Sequence, residues 1–84
     1  ILPQLGQPVI SVAIPKTIDN DIVGSDCSPG FGSVAKYAAT SLREAMADLA
    51  SMSHSSTKVF VMEVMGRYTG WIAAACGMAL PAGE

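Results

Sequence analysis

Two short polar stretches carry residue types and spacings suited to chemistry. The first is Lys16-Thr17-Ile18-Asp19-Asn20-Asp21. If the backbone is extended there, a period of two puts Thr17, Asp19 and Asp21 on one side and Lys16, Ile18 and Asn20 on the other. Carboxylates held side by side repel one another, so such a pair suits a site where a metal ion or a substrate proton uses them. The same residues also suit an Asx-rich turn, in which Asp and Asn bond only their own backbone. The second stretch is Glu63-Val64-Met65-Gly66-Arg67. A glycine in a tight turn lets the backbone approach a ligand, and an arginine after it offers a planar fork matched to phosphate oxygens. An ordinary loop with a solvated arginine is the plain alternative. Glu63 stands in an apolar run, where an unpaired charge is costly, so a partner for it is expected.

The elements that would position these stretches follow from hydropathy. Residues 9–14 (VISVAI), between Pro8 and Pro15, and residues 59–64 (VFVMEV) are short and nearly continuous apolar runs and predict two buried strands. Between residues 31 and 52, Val34, Ala35, Ala38, Ala39, Leu42, Ala45, Met46, Leu49 and Ala50 recur at steps of three and four. Lys36, Thr40, Arg43, Glu44, Ala47 and Asp48 fall opposite them, which predicts an amphipathic helix. Residues 71–80 predict an Ala-rich second helix that Pro81 would stop. The expected order is strand, helix, strand, helix. Strands apolar on consecutive residues imply cover on both faces, hence a parallel sheet in an α/β layer architecture. A right-handed crossover puts both strand C-termini on one sheet edge, where such folds bind ligands, and both polar stretches follow the strands there.

Composition removes several classes. Lys and Arg number 5 against 7 Asp and Glu, for a net charge of -2, so no basic face is available to nucleic acid. No apolar run approaches the roughly 20 residues of a membrane span, no basic region precedes a hydrophobic one, and a soluble cytoplasmic protein is expected. Cys27 and Cys76, without CxxC spacing or a Cys/His cluster, fit free thiols better than a disulfide or a zinc site. Gly30-Phe31-Gly32-Ser33-Val34-Ala35 matches a G-x-G-x-x-A dinucleotide fingerprint, but the long loop after Ile14 separates it from the strand that motif requires. Those glycines are better suited to letting the helix start pack closely under the loop. His54 reads as a solvated helix-end residue, Tyr37 and Trp71 as packing or rim residues, and the methionines as core filler. Opening at Ile1 and closing at Glu84 after a Pro-Ala-Gly turn, the 84 residues read as a piece of a longer chain.

Pro15-Lys16-Thr17-Ile18-Asp19-Asn20-Asp21 together with Met65-Gly66-Arg67 resembles the phosphofructokinase family. Residues 29–37 (PGFGSVAKY) and Gly70-Trp71 resemble its diphosphate-dependent branch in particular. The resemblance covers essentially residues 1–84 and implies part of a Rossmann-like, parallel-sheet catalytic domain whose glycine-rich donor loop is absent here. It implies that Asp19 is the general base for the 1-hydroxyl of fructose 6-phosphate. Asp21 would organise magnesium and the base, and Thr17 would contact the transferring phosphoryl group. Met65, Gly66 and Arg67 would bind the sugar phosphate. Lys58 stands where the family commonly has an arginine that reaches a neighbouring subunit's sugar phosphate, which implies a homo-oligomer, at least a dimer. A strand start lies about 20 Å from the strand's end, too far to serve its own site; lysine keeps the charge but loses the bidentate fork. Lys16 implies diphosphate rather than ATP as donor. An ATP-dependent phosphofructokinase, or an inactive regulatory subunit of the same fold, are the rival readings, with a dinucleotide-binding module third.

Overall fold

The computed structural model describes residue 6 and residues 8–81. Helix α1 spans Phe31–Met52 and helix α2 spans Trp71–Met78, and the two pack against each other. The face expected from periodicity is the one α1 turns inward. Leu49 is buried and Val34, Ala35, Ala38, Ala39, Leu42, Ala45 and Met46 are half-buried, whereas Lys36, Thr40, Arg43, Glu44, Ala47 and Asp48 are exposed. Ala50 alone departs, lying exposed in the last turn. Helix α2 buries Ile72 and Cys76. It ends two residues before the predicted Leu80, because Pro81 disfavours a helical residue before it. The chain tightens instead, with the Ala79 and Leu80 N–H groups donating to the Cys76 and Gly77 carbonyls at 3.1 and 3.4 Å.

The two expected strands are not formed among the described residues. A strand exists only as one member of a hydrogen-bonded pair. Among the described residues, the backbone hydrogen bonds outside the helices involve none of residues 8–16 or 57–66. Ile10 and Val12 are 91% and 82% exposed, so cover on both faces is also not found. Residues 59–64 nevertheless keep a strand's alternation. Val59 and Val61 are 74% and 84% exposed while Phe60 drops to 43% and Met62 and Val64 are half-buried. Phe60, Met62 and Val64, with Val61 at the rim, border a gap of about 470 Å³ shared with Leu42 and Met46 of α1 and Cys76 of α2. The segment thus packs one face on α1 and α2 and leaves the other bare.

Burial is correspondingly sparse. Leu49, Ile72 and Cys76 are the buried hydrophobics among the described residues, and the radius of gyration is 19.5 Å where a compact chain of this length has about 12 Å. The methionines are not uniformly core, since Met78 and Met65 are exposed. Tyr37 and Trp71 are exposed and His54 lies exposed just beyond α1. Both cysteines are free, Cys27 exposed and Cys76 buried. Among the described residues no helix is long and apolar enough to cross a membrane.

Candidate active site

The loop from residue 16 to α1 is folded by its own polar groups. Residues 18 and 19 form a turn, and the Asp19 N–H donates to Thr17 Oγ1 at 3.1 Å. Asn20 takes a left-handed φ of 57°, which its short polar side chain tolerates better than most. That side chain then clasps the loop: its Nδ2 donates to the Asp26 carbonyl at 3.0 Å, and its Oδ1 accepts from the Ser28 N–H at 2.8 Å. Ser28 is buried as a result, and the chain enters α1 through Gly30 at φ 92°. A Cβ on Gly30 would meet Ile18 Cγ2 at an ordinary contact distance of 3.7 Å, so the glycine is required there by its φ and not by lack of space. The close packing expected of the fingerprint-like glycines is not found: an added Cβ meets nothing within 4 Å at Gly32, and Gly30 serves the turn through its left-handed φ.

The second stretch is shaped by Gly66. Its φ of 144° is a conformation that side-chain-bearing residues rarely adopt, and a Cβ there would collide with the Thr69 carbonyl. This tight return carries Thr69 back to the first stretch, where its Oγ1 donates to the Asp19 carbonyl at 2.9 Å across 50 residues of sequence.

Between the two stretches lies a cleft of about 510 Å³ lined by Asp19, Asp21, Glu63, Val64, Met65, Gly66, Arg67 and Tyr68. Asp19 and Arg67, one from each polar stretch, thus border one cavity. Asp19 is half-buried, and its Oδ1 is buried without a hydrogen-bond partner. A desolvated carboxylate oxygen is costly unless something donates to it or a cation lies against it, a need that a substrate hydroxyl or a metal ion would meet. The three carboxylates of the lining outnumber its one guanidinium, so the cleft by itself repels anions and a phosphate ester would need a cation beside Arg67.

The polar stretches meet by a different route from the one expected. Residues 16–21 are not extended, because the turn at residues 18 and 19 and the left-handed Asn20 break the alternation. Asp19 and Asp21 still reach the cleft, but Thr17 does not line it; its oxygen is occupied by the Asp19 N–H. The Asx-turn alternative is not found either: the local bond is to the Thr17 hydroxyl, and Asn20 reaches the backbone six and eight residues on. Met65, Gly66 and Arg67 all line the cleft, whereas Lys16 and Lys58 are exposed and lie outside it. Glu63 reaches the cleft as an exposed residue that water can solvate, since no second layer covers residues 59–64. Tyr68 and Thr69 were missed. An aromatic and a hydroxyl directly after the arginine were the available signal.

No group of three or more His, Cys, Asp or Glu placed to hold a metal occurs among the described residues. Magnesium, however, is commonly held by one or two carboxylates plus substrate phosphates, and Asp19 and Asp21 on one cleft, the former with an unpartnered Oδ1, fit that pattern.

Comparison with known proteins agrees with the motif resemblance. The phosphofructokinase family model matches residues 3–83. A pyrophosphate–fructose 6-phosphate 1-phosphotransferase of Methylococcus capsulatus is 62% identical over 76 residues, 90% of this chain and 18% of that protein. A protein of the same description from Halomonas elongata is 60% identical over 76 residues, with the same coverage. An ATP-dependent 6-phosphofructokinase of Chloroflexus aurantiacus is 46% identical over 78 residues, 93% of this chain and 20% of that protein. The chain therefore spans about a fifth of the length of these relatives. No solved structure matches it.

Proposed function

We propose, from the premise that the chain belongs to the phosphofructokinase family, that its cleft binds fructose 6-phosphate and transfers a phosphoryl group from diphosphate to the 1-hydroxyl. The products are fructose 1,6-bisphosphate and phosphate. The observation that carries the reading is that Asp19, whose Oδ1 is buried without a hydrogen-bond partner, and Arg67 line the same cavity.

In this reading Asp19 accepts the proton of the 1-hydroxyl, and the freed oxygen forms a bond to the terminal phosphorus of diphosphate as the bridging P–O bond breaks. Arg67 grips the 6-phosphate through its fork, with Met65 and the Gly66 backbone shaping the seat. Asp21 would hold magnesium, which would supply positive charge to offset that of the transferring group. Phosphoryl transfer is mostly positioning and charge neutralisation, so a base, a cation and a guanidinium suffice. Thr17 stands beside the site, and its hydroxyl hydrogen remains available to a phosphoryl oxygen while its oxygen accepts from Asp19. Lys16 serves the donor side and Lys58 a neighbouring subunit of a homo-oligomer; their exposure outside the cleft suits partners that approach from elsewhere. The half-covered residues 59–64 suit a strand of a parallel α/β sheet, whose bare face a further layer covers.

Diphosphate is favoured over ATP because relatives described as pyrophosphate-dependent are more similar than the ATP-dependent one. The test uses the polypeptide that carries these residues. Fructose 1,6-bisphosphate formation is measured with diphosphate or ATP, in the parent and in Asp19→Ala. The expected result is higher kcat/KM with diphosphate, and a kcat reduced about 100- to 10,000-fold in Asp19→Ala with sugar-phosphate binding retained. Normal turnover in that variant removes Asp19 from the base role. A preference for ATP overturns the donor assignment, and no turnover in the parent supports an inactive subunit.

A further inference from the structure

We infer that Thr69 is the positioning residue that holds the Asp19 carboxylate in register with Arg67, an inference that rests on the proposed role of Asp19. Asp19 is fixed through its main chain and not through its carboxylate. Its N–H is held by Thr17 within the same turn, and its carbonyl accepts from Thr69 Oγ1 at 2.9 Å. Among the described residues the Thr69 bond is the only side-chain hydrogen bond that joins the loop of residues 16–30 to residues 57–70.

The two ends of that bond are anchored on different elements. On one side the turn lies over the start of α1, through Ile18 on Gly30 and Asn20 on Ser28. On the other, Thr69 precedes Gly70, the N-cap of α2, whose carbonyl accepts from the Ala74 N–H at 2.8 Å. Arg67 is two residues from Thr69, inside the tight return that Gly66 permits. The threonine hydroxyl therefore sets the separation between the proton acceptor and the phosphate grip. A proton acceptor works only within hydrogen-bond reach of its hydroxyl, so loosening this tether lowers turnover more than binding.

The test compares Thr69→Val, which keeps the shape and removes the donor, with Thr69→Ser, which keeps the donor, in the polypeptide that carries these residues. Thr69→Ala is read in parallel, so that a misfolded valine variant does not decide the matter. Expected is a kcat about tenfold lower for the valine and alanine variants, the effect of one net hydrogen bond, with KM for fructose 6-phosphate within about twofold. Thr69→Ser restores kcat to within about threefold, and Thr69→Val costs nothing further when added to Asp19→Asn. Parental kcat in Thr69→Val and Thr69→Ala, beside an impaired Asp19→Asn, overturns the positioning role alone. A serine variant as impaired as valine overturns it too, by making shape and not the hydroxyl the requirement. Full turnover in Asp19→Asn removes the base reading and this inference with it.

Discussion

Replacing Gly66 by alanine perturbs the cleft at the residue before Arg67. A side-chain-bearing residue held at φ 144° stores strain of roughly 1–3 kcal/mol. The added methyl also meets the Thr69 carbonyl, which is backbone and cannot swing aside as a flexible side-chain tip would. The chain relieves both by moving residues 66–69, which carries Arg67 off the sugar phosphate and slackens the bond from Thr69 to Asp19. About 1.36 kcal/mol corresponds to a tenfold rate change, so this range converts to roughly 5- to 150-fold in kcat/KM. That agrees with the roughly 100-fold cost of misplacing a reacting group by about 1 Å. Steady-state kinetics of Gly66→Ala with fructose 6-phosphate as the varied substrate measures it. Gly32→Ala is the control: Gly32 lies in α1, no heavy atom stands within 4 Å of its added Cβ, and alanine there suits a helix. Unchanged kcat/KM in Gly66→Ala would refute the reasoning, because the return at residue 66 could not then have the shape described.

Three further outcomes are expected. Arg67→Lys keeps the charge but loses the fork, and raises KM for fructose 6-phosphate about 10- to 100-fold with a smaller change in kcat; an unchanged KM removes Arg67 from phosphate binding. Asn20→Ala loses two hydrogen bonds and places alanine in a left-handed conformation, lowering stability by about 3 kcal/mol in denaturant unfolding. Asn20→Gly, free of the strain, loses only about 2 kcal/mol, and equal losses in the two would show that the left-handed φ costs nothing. The 84-residue chain alone, with so few buried apolar side chains, gives no cooperative calorimetric transition; a sharp endotherm would contradict that.

What was legible in the sequence depended on how local its cause is. Helix α1 follows from a pattern repeated over six turns, and its inward and outward residues fall where the period puts them, Ala50 apart. Helix α2 was found but overrun by two residues, because the restriction that Pro81 places on its predecessor acts at the very end. The strands were read from apolar runs, which report a demand for burial but not the neighbours that meet it. Residues 59–64 keep the alternation without a ladder, and residues 9–14 have neither. The cleft was legible as a meeting of two motifs, yet its geometry was not. The turn at residues 18 and 19 rests on a choice of partner for the Thr17 hydroxyl, and the left-handed Asn20 is clasped by Asp26 and Ser28, several residues away. Thr69 acts across 50 positions, which no short-range spacing rule detects.

Both restraints on residue 19 grip main-chain atoms, a consequence that reaches past this one reaction. The polypeptide reserves a location without specifying what is presented there. An isosteric group such as asparagine would be offered to the cavity from the same pedestal, whereas a longer side chain would have to displace the atoms that bury Oδ1. The scaffold is thus a socket in which the reactive group can be exchanged while its mounting stays intact.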